Sequence, residues 1–313
     1  MSTPITNTAT IERVEKLRQS KILREVQDKD TVAMFEDPLE NDMVLNMGPQ
    51  HPATHGVLRV LLRLDGERVV KCIPELGYLH RGFEKIAENM TYHEFIPHTD
   101  RLDYLSPMSN NVGIAMAIEK AAGVDVPERG VWVRMCVAEM ARISSHLIAL
   151  GATAMDVGAM TLFLWTFTER EKLYDLFERI CGARFTTSYT RIGGVANDIP
   201  DDVLRDIRAW LNHLPVEMDA FNKLVARNRI FIERMAGVGH ITADKAVALG
   251  LTGPTLRGCG IARDLRRDHP YMYYDQMDFD VITHNDGDCY ARYTCRYNEI
   301  KESMKILHQV HQV

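Results

Sequence analysis

The pattern of apolar and polar residues changes character near residue 109. From Met43 to Ile73, apolar residues alternate with polar ones on both sides of an Asp65-Gly66 pair, which predicts a small antiparallel sheet with a turn at that pair. From Ser109 onward, apolar residues recur at helical spacing. A small β element followed by many helices predicts an α+β fold that is mainly helical.

Helices are predicted where this spacing begins after a proline or an acidic pair and ends at a glycine or a polar run. The predicted segments are 83–89, 111–122, a long helix beginning at residue 127, 159–181, 200–228 and 298–313, with shorter helices and turns over 229–297. The chain is predicted to divide into a polar N-terminal arm (1–40, with a short amphipathic helix at 10–23), a β element with shaped loops (41–108) and a helical bundle (109–313).

The composition is that of an ordinary globular protein, with 46% apolar and 26% charged residues. The net charge of -6 and the scattered basic residues give no indication of nucleic-acid binding. The six cysteines form no Cys-x-x-Cys pair, and no secretory leader is recognised. We therefore expect free thiols in a reducing compartment.

One apolar stretch, 143–168, is long enough to span a bilayer and contains Asp156 as its single charged residue. A central Asp costs about 3 kcal/mol on membrane-insertion scales. We therefore predict a buried helical segment rather than a transmembrane helix, with Asp156 held inside the protein. A buried carboxylate needs a cationic partner or a proton.

Residues 46–56, Asn-Met-Gly-Pro-Gln-His-Pro-Ala-Thr-His-Gly, combine two prolines, two glycines and two histidines. Prolines fix backbone angles and glycines permit unusual ones, so we predict a shaped loop that presents His51 and His55 in fixed directions. Because Pro52 interrupts a helix, the His-x-x-x-His spacing does not indicate a zinc helix. Histidines satisfied by ordinary hydrogen bonds are the alternative interpretation.

A second candidate is Tyr104, which ends the run Thr99-Asp100-Arg101-Leu102-Asp103 shortly before Pro107. A tyrosine hydroxyl and a histidine are suited to hydrogen-bond the two ends of a small carbonyl compound, and both can donate protons during its reduction. A purely structural tyrosine before a proline turn is the alternative.

Metal and nucleotide motifs are incomplete. Cys289-x5-Cys295 lacks matching ligands, Gly258-Cys259-Gly260 lacks the third glycine of a dinucleotide fingerprint, and no phosphate-binding loop occurs. We expect the chain to bind no cofactor by itself.

Six motifs occur in order and together resemble one family. They are Gly48-Pro49-Gln50-His51-Pro52-Ala53-Thr54-His55-Gly56, Leu79-His80-Arg81-Gly82, Asp100-Arg101-Leu102-Asp103-Tyr104, Asp156-Val157-Gly158-Ala159-Met160-Thr161, Arg191-Ile192-Gly193-Gly194-Val195 and Gly287-Asp288-Cys289-Tyr290-Ala291-Arg292-Tyr293. Over roughly residues 40–313 the chain resembles the D subunit (49 kDa type) of proton-pumping NADH:quinone oxidoreductase, respiratory complex I. Six ordered motifs are more specific than a single match.

The resemblance implies a fold like the large subunit of nickel-iron hydrogenases. Those enzymes bind nickel through a Cys-x-x-Cys pair at the place where this chain has Asp103 and Ser106. Soft metals need thiolates, so the metal is expected to be lost and its cavity reused for quinone. By the same resemblance, His55 and Tyr104 hydrogen-bond the quinone headgroup, and Asp156 pairs with His55 and takes part in its protonation change.

Arg81 and Arg101 resemble arginines that face the terminal iron-sulfur cluster of the neighbouring B subunit, where positive charge raises the cluster potential. His51 is expected to shape its loop. The implied function is electron transfer from the partner's cluster to quinone, with His55 and Tyr104 as proton donors. The His55–Asp156 pair would pass a charge change to the proton-pumping membrane subunits.

The implied partners are the iron-sulfur B subunit, the C subunit, the membrane-arm H subunit, other subunits of the complex and quinone, with no nucleic acid. Because no transit peptide is recognised, the implied location is peripheral, on the cytoplasmic face of a bacterial inner membrane. The sequence does not distinguish ubiquinone from menaquinone, or one electron donor from another.

Two positions depart from the family pattern. Thr186 stands where many members have a histidine near the cluster, and threonine does not titrate at physiological pH. The chain ends at Val313, before the C-terminal segment that family members usually carry, so we expect a missing segment. The alternatives that stay open are a related complex with another electron donor, a metal-binding hydrogenase large subunit and a non-catalytic scaffold.

Overall fold

The structure is a computed structural model that describes residues 43–226 and 228–312. The predicted N-terminal arm, with its helix at 10–23, lies outside the described residues. The described chain falls into two compact units, residues 43–89 and 90–312. The predicted three-part division of the chain stays a prediction.

The first unit is built on a three-stranded antiparallel sheet of order β1-β2-β3. Its strands are β1 (Met43–Met47), β2 (Arg59–Asp65) and β3 (Arg68–Glu75), followed by the short helix α1 (Phe83–Ala87). Asp65 pairs with Arg68 across the β2–β3 turn, as the Asp65-Gly66 signal predicts, and the register shifts between Arg63 and Leu64. The predicted small antiparallel sheet is confirmed.

The second unit is helical. Its helices are α2 (Tyr92–Thr99), α3 (Pro107–Ala122), α4 (Glu128–Asp156), α5 (Met160–Cys181), α6 (Asp201–Ala226), α7 (Arg229–Met235), α8 (Ala243–Ala248), α9 (Gly253–Arg257), α10 (Leu265–Asp268) and α11 (Cys289–Val310). A two-residue ladder, β4 (Thr190–Arg191) with β5 (Gly194–Val195), lies between α5 and α6. The predicted mainly helical α+β class is confirmed.

The core of the helical unit forms around α4, which packs against α3, α5 and α11. Its buried face includes Met135, Met140, Ile143 and Leu147, the apolar positions that predict a buried helix. A Cβ at Gly151 would lie 2.1 Å from the Thr166 hydroxyl on α5. Only glycine therefore lets α4 and α5 approach this closely.

The last helix begins earlier than predicted, at Cys289 instead of Asn298. Asp288 is its N-cap: one carboxylate oxygen accepts from the Ala291 N–H at 2.7 Å, and the other accepts from the Gly237 N–H at 2.7 Å. The prediction missed this cap signal. The Gly-Asp-Cys-Tyr-Ala-Arg-Tyr motif thus forms the N-terminus of α11, and its Asp288 hydrogen-bonds the loop that follows α7.

No helix within residues 43–226 and 228–312 has both the length and the apolar character that a bilayer crossing requires.

Candidate functional site

The histidine loop, residues 48–56, is closed by its own backbone. The Gln50 N–H donates to the Gly56 carbonyl at 2.7 Å, and the Thr54 hydroxyl donates to the His51 carbonyl at 2.9 Å. Gly48 has φ +86°, and a Cβ there would lie 2.1 Å from the Leu58 carbonyl oxygen. Glycine is therefore required at this position, and the predicted shaped loop is confirmed.

The two histidines of this loop have different positions. His51 precedes a single 3-10 turn (Pro52–Thr54), and its Nδ1 accepts from the Ala53 N–H at 3.1 Å. His55 follows the turn with φ +48°, in the left-handed region, and it is exposed. This arrangement agrees with a shaping role for His51 and leaves the His55 ring at the surface of its unit.

The tyrosine loop, residues 100–106, is anchored from a distant part of the chain. Asp100 is fully buried, and one of its carboxylate oxygens accepts from both the N–H (3.0 Å) and the hydroxyl (2.5 Å) of Ser188. Burial raises the pKa of Asp100, and hydrogen bonds from Ser188 and Asn111 offset part of this effect. The anchoring role of Asp100 was not predicted, although Asp100 is part of the charged run that contains Tyr104.

Tyr104 itself is 46% exposed. Its ring lies 6.2 Å from the ring of Phe185, which belongs to the segment that also supplies Ser188. Arg101, three residues earlier, is exposed and its guanidinium donates to the Pro97 carbonyl at the end of α2. Both predicted site residues of this loop are thus surface side chains on a backbone fixed by buried contacts.

The Tyr-Thr-Arg-Ile-Gly-Gly motif (189–194) is held by a buried ion pair. Arg134 of α4 forms a bidentate pair with Glu119 of α3 at 2.6 and 2.8 Å, and it also donates to the Gly194 carbonyl. Glu119 accepts from the Gly193 N–H at 2.7 Å. Charged residues at apolar helical positions are the sequence signal for this pair, which was not predicted.

The predicted burial of Asp156 is wrong. This residue was expected inside the helical core, but it is the last residue of α4 and is exposed. The reason is that α4 ends here and Gly158, with φ +99°, turns the chain toward α5. Arg81 is also exposed, in the unit of residues 43–89, with its guanidinium 4.7 Å from the centre of the Phe83 ring.

The predicted site residues therefore lie in both units. His55 and Arg81 belong to residues 43–89, and Tyr104, Arg101 and Asp156 belong to residues 90–312. Their convergence on one quinone headgroup stays a prediction. Two cavities of about 570 and 260 Å³ in the helical unit are lined by other residues, so neither of them is the predicted quinone site.

Asp103 and Ser106, which the resemblance to nickel-iron hydrogenases places at the nickel-ligand positions, do not fit a soft metal. The Asp103 carboxylate accepts from the Leu105 N–H at 3.2 Å, and the Ser106 hydroxyl donates to the Ser109 hydroxyl at 2.9 Å. Both side chains therefore organise the turn before α3, and neither offers a thiolate.

Buried charges in the helical unit were also missed. Glu139 of α4 is fully buried; it pairs with Arg266 at 3.1 Å and accepts from the Tyr274 hydroxyl at 2.6 Å. Burial raises the pKa of Glu139, but Arg142 and Arg266 overcome this effect and hold it at about 2. Its sequence signal is a lone acid in the apolar run around residue 139.

A second buried carboxylate, Glu299 of α11, contacts His146 Nε2 at 2.8 Å and the Arg257 guanidinium at 2.7 Å. Burial raises the pKa of Glu299, but hydrogen bonds from His146 and Arg257 lower it to about 2. Burial also lowers the pKa of His146, against the opposing effect of Glu299. The interior of this unit therefore contains ionised carboxylates, and Arg266 and Arg257 reach them from distant segments.

Comparison with known proteins identifies the class first. A family model described as the 49 Kd subunit of respiratory-chain NADH dehydrogenase matches residues 156–313. This match identifies the class of the chain as a subunit of a respiratory-chain oxidoreductase.

Three similar proteins identify the family. The chain is 54% identical over 296 residues to an NADH-quinone oxidoreductase D subunit of Chloroherpeton thalassium, covering 94% of this chain and 67% of that protein. The corresponding D subunit of Salinibacter ruber is 52% identical (87% of this chain, 60% of that protein), and that of Methylacidiphilum infernorum is 48% identical (95% and 70%). The chain belongs to the family of NADH-quinone oxidoreductase D subunits, and it spans 60% to 70% of the length of these relatives.

Proposed function

We propose that this chain forms the quinone-side wall of an NADH:quinone oxidoreductase and supplies protons for quinone reduction. The observation that carries the proposal is the 54% identity to an NADH-quinone oxidoreductase D subunit over 94% of the chain.

The geometry of the two loops supports the roles of His55 and Tyr104. His55 leaves a backbone-closed loop directly after a 3-10 turn, and Tyr104 lies on a segment that the buried Asp100 anchors to Ser188. Fixed backbones hold exposed donors in defined directions, which is what positioning of a small carbonyl headgroup requires. We assign His55 to one quinone oxygen and Tyr104 to the other.

Reduction of a quinone to a quinol takes up two electrons and two protons. In the proposed mechanism the electrons come from the iron-sulfur cluster of the neighbouring B subunit, and the protons come from the His55 ring and the Tyr104 hydroxyl. Asp156 pairs with His55 and responds to its change of charge. Arg81 and Arg101 face the partner's cluster, where their positive charge stabilises its reduced form.

The remaining assignments follow from the family. We propose that the chain contacts the B, C and membrane-arm H subunits, that it couples quinone reduction to proton translocation, and that it lies on the cytoplasmic face of the bacterial inner membrane as a peripheral subunit.

Tyr104→Phe in the assembled complex tests the proposal. Loss of the hydroxyl removes one proton donor, so quinone reduction should fall by about 100-fold or more, the range typical of a lost general acid. Reduction of the partner's cluster by the electron donor should be unchanged, because electrons reach the cluster before the quinone.

Tyr92→Phe is the matched control, since Tyr92 is an exposed tyrosine of α2 in the same unit. It should keep wild-type turnover. Wild-type quinone reduction in Tyr104→Phe would contradict the assignment, and loss of cluster reduction in that variant would indicate damage to assembly instead of a missing proton donor.

A further inference from the structure

Helices α5 and α6 bring together three metal-ligating side chains away from both loops. They are Glu169 of α5 and His213 and Glu217 of α6, and one ligand atom from each lies within 4.8 Å of the others. His213 and Glu217 are four residues apart, so they share one face of α6. Within the part of the chain that the structure describes, this is the one group of three or more such ligands.

The spacing on α6 fits a tetrahedral cation. His213 Nε2 lies 3.2 Å from Glu217 Oε1, close to the separation of about 3.3 Å between two ligands of Zn²⁺ at bond lengths of about 2.0–2.1 Å. The Trp165 indole N–H donates to Glu217 Oε2 at 2.9 Å. That bond orients the carboxylate and leaves its other oxygen toward His213, in the way that outer-shell partners orient metal ligands.

Glu169 gives an independent indication. Its side chain is only 4% exposed, and Oε1 pairs with the Lys172 ammonium at 2.6 Å. Oε2 is buried and accepts no hydrogen bond from the residues the structure describes. A buried carboxylate oxygen without a hydrogen bond destabilises the folded state, and a cation bound by that oxygen would remove that cost.

We propose that Glu169, His213 and Glu217 form a binding site for a divalent transition-metal ion, with Zn²⁺ the best match. One imidazole and two carboxylates are a donor set that zinc accepts, whereas Mg²⁺ and Ca²⁺ prefer oxygen ligands alone. His213 is partly exposed, with 46% of its side chain accessible, so water can reach the fourth position. The ion would join α5 to α6.

The test is Zn²⁺ binding by the full chain in competition with a chelator of known affinity. The wild-type chain should bind one Zn²⁺ that His213→Ala binds at least about 10-fold more weakly, since loss of a ligand should cost no less than loss of an outer-shell partner. Glu169→Gln should weaken binding in the same way. Glu171→Gln is the matched control, because Glu171 is an exposed acid of α5 that pairs with Arg184, and it should bind like the wild type.

Zinc X-ray absorption distinguishes this site from the free cysteines. A shell of nitrogen and oxygen neighbours without sulfur is expected in the wild-type chain. Equal affinity of wild type and His213→Ala would overturn the proposal, as would a sulfur shell; either result would leave His213 and Glu217 as an ordinary ion pair. Because His213 is a surface residue, its replacement should leave the circular dichroism spectrum unchanged, which separates lost binding from lost folding.

Discussion

The histidine loop and the tyrosine loop are held by different kinds of contact. Hydrogen bonds between near neighbours in the chain close the histidine loop, as the Gln50–Gly56 and Thr54–His51 bonds show. The tyrosine loop depends on Asp100 and Ser188, which are 88 residues apart in the chain. One loop is organised by its local sequence, and the other by the packing of the helical unit.

This difference determines what disturbs each loop. A local loop fails when its own backbone angles are changed, because those angles form the hydrogen bonds. A loop anchored by a distant contact fails when the buried partner is changed, even if its own sequence is intact. Four substitutions in the two loops separate these two cases.

The largest loss of folding stability is expected for Gly48→Ala. A methyl group there would collide with the Leu58 carbonyl, and φ +86° is unfavourable for alanine; together these effects should cost about 3 kcal/mol. Hydrogen exchange at the Gln50 amide should accelerate strongly, whereas the Ser188 amide should be unaffected. Gly66→Ala is the control, since Gly66 has φ +60° with open space around it, and it should cost about 1 kcal/mol.

The next largest loss of stability is expected for Asp100→Ala, at about 2 kcal/mol, because it removes the acceptor of two partly buried hydrogen bonds from Ser188. Here the Ser188 amide should exchange faster and the Gln50 amide should not. The opposite pattern of protection would show that the two loops are not independently organised.

The titration of Asp100 gives a second test of the contact that anchors the tyrosine loop. Burial raises its pKa above the ordinary value of 3.8, so the folded chain keeps a proton that the unfolded chain has already lost. Stability from this group is therefore complete below pH 3.8 and decreases as pH rises through the raised pKa. The free energy of unfolding of Asp100→Asn should lack this decrease.

Asp103→Asn is the control for this titration, since Asp103 is an exposed acid of the same loop, and it should retain the wild-type slope. Parallel pH curves for wild type and Asp100→Asn would contradict the assigned pKa shift.

The smallest loss of folding stability is expected for Thr54→Val. Valine keeps the shape of the buried Thr54 side chain but removes its hydrogen bond to the His51 carbonyl, which should cost about 1 kcal/mol. Exchange at Gln50 should increase modestly. Thr168→Val is a suitable control, because its hydroxyl makes a similar intra-helical bond on an exposed side chain, and the histidine loop should not respond to it.

Secondary structure was predictable wherever it depends on neighbouring residues. The Asp65-Gly66 turn, the shaped loop around Pro52 and the α5 helix were predicted nearly at their observed limits. The start of α11 was not predicted, because Asp288 was not recognised as the N-cap of this helix. The prediction that Asp156 is buried was wrong, since helical periodicity does not show where a helix leaves the core.

The candidate site likewise has features that the local sequence determines and features that only the tertiary structure determines. The sequence by itself determined the histidine loop and the resemblance to a family, because motifs and backbone-restricting residues act locally. Only the tertiary structure decided that Asp100 anchors Tyr104's loop, that Arg134 and Glu119 hold the Gly-Gly motif, and that Glu169 faces His213. These pairs join distant segments, and no local pattern specifies which buried charge will meet which partner.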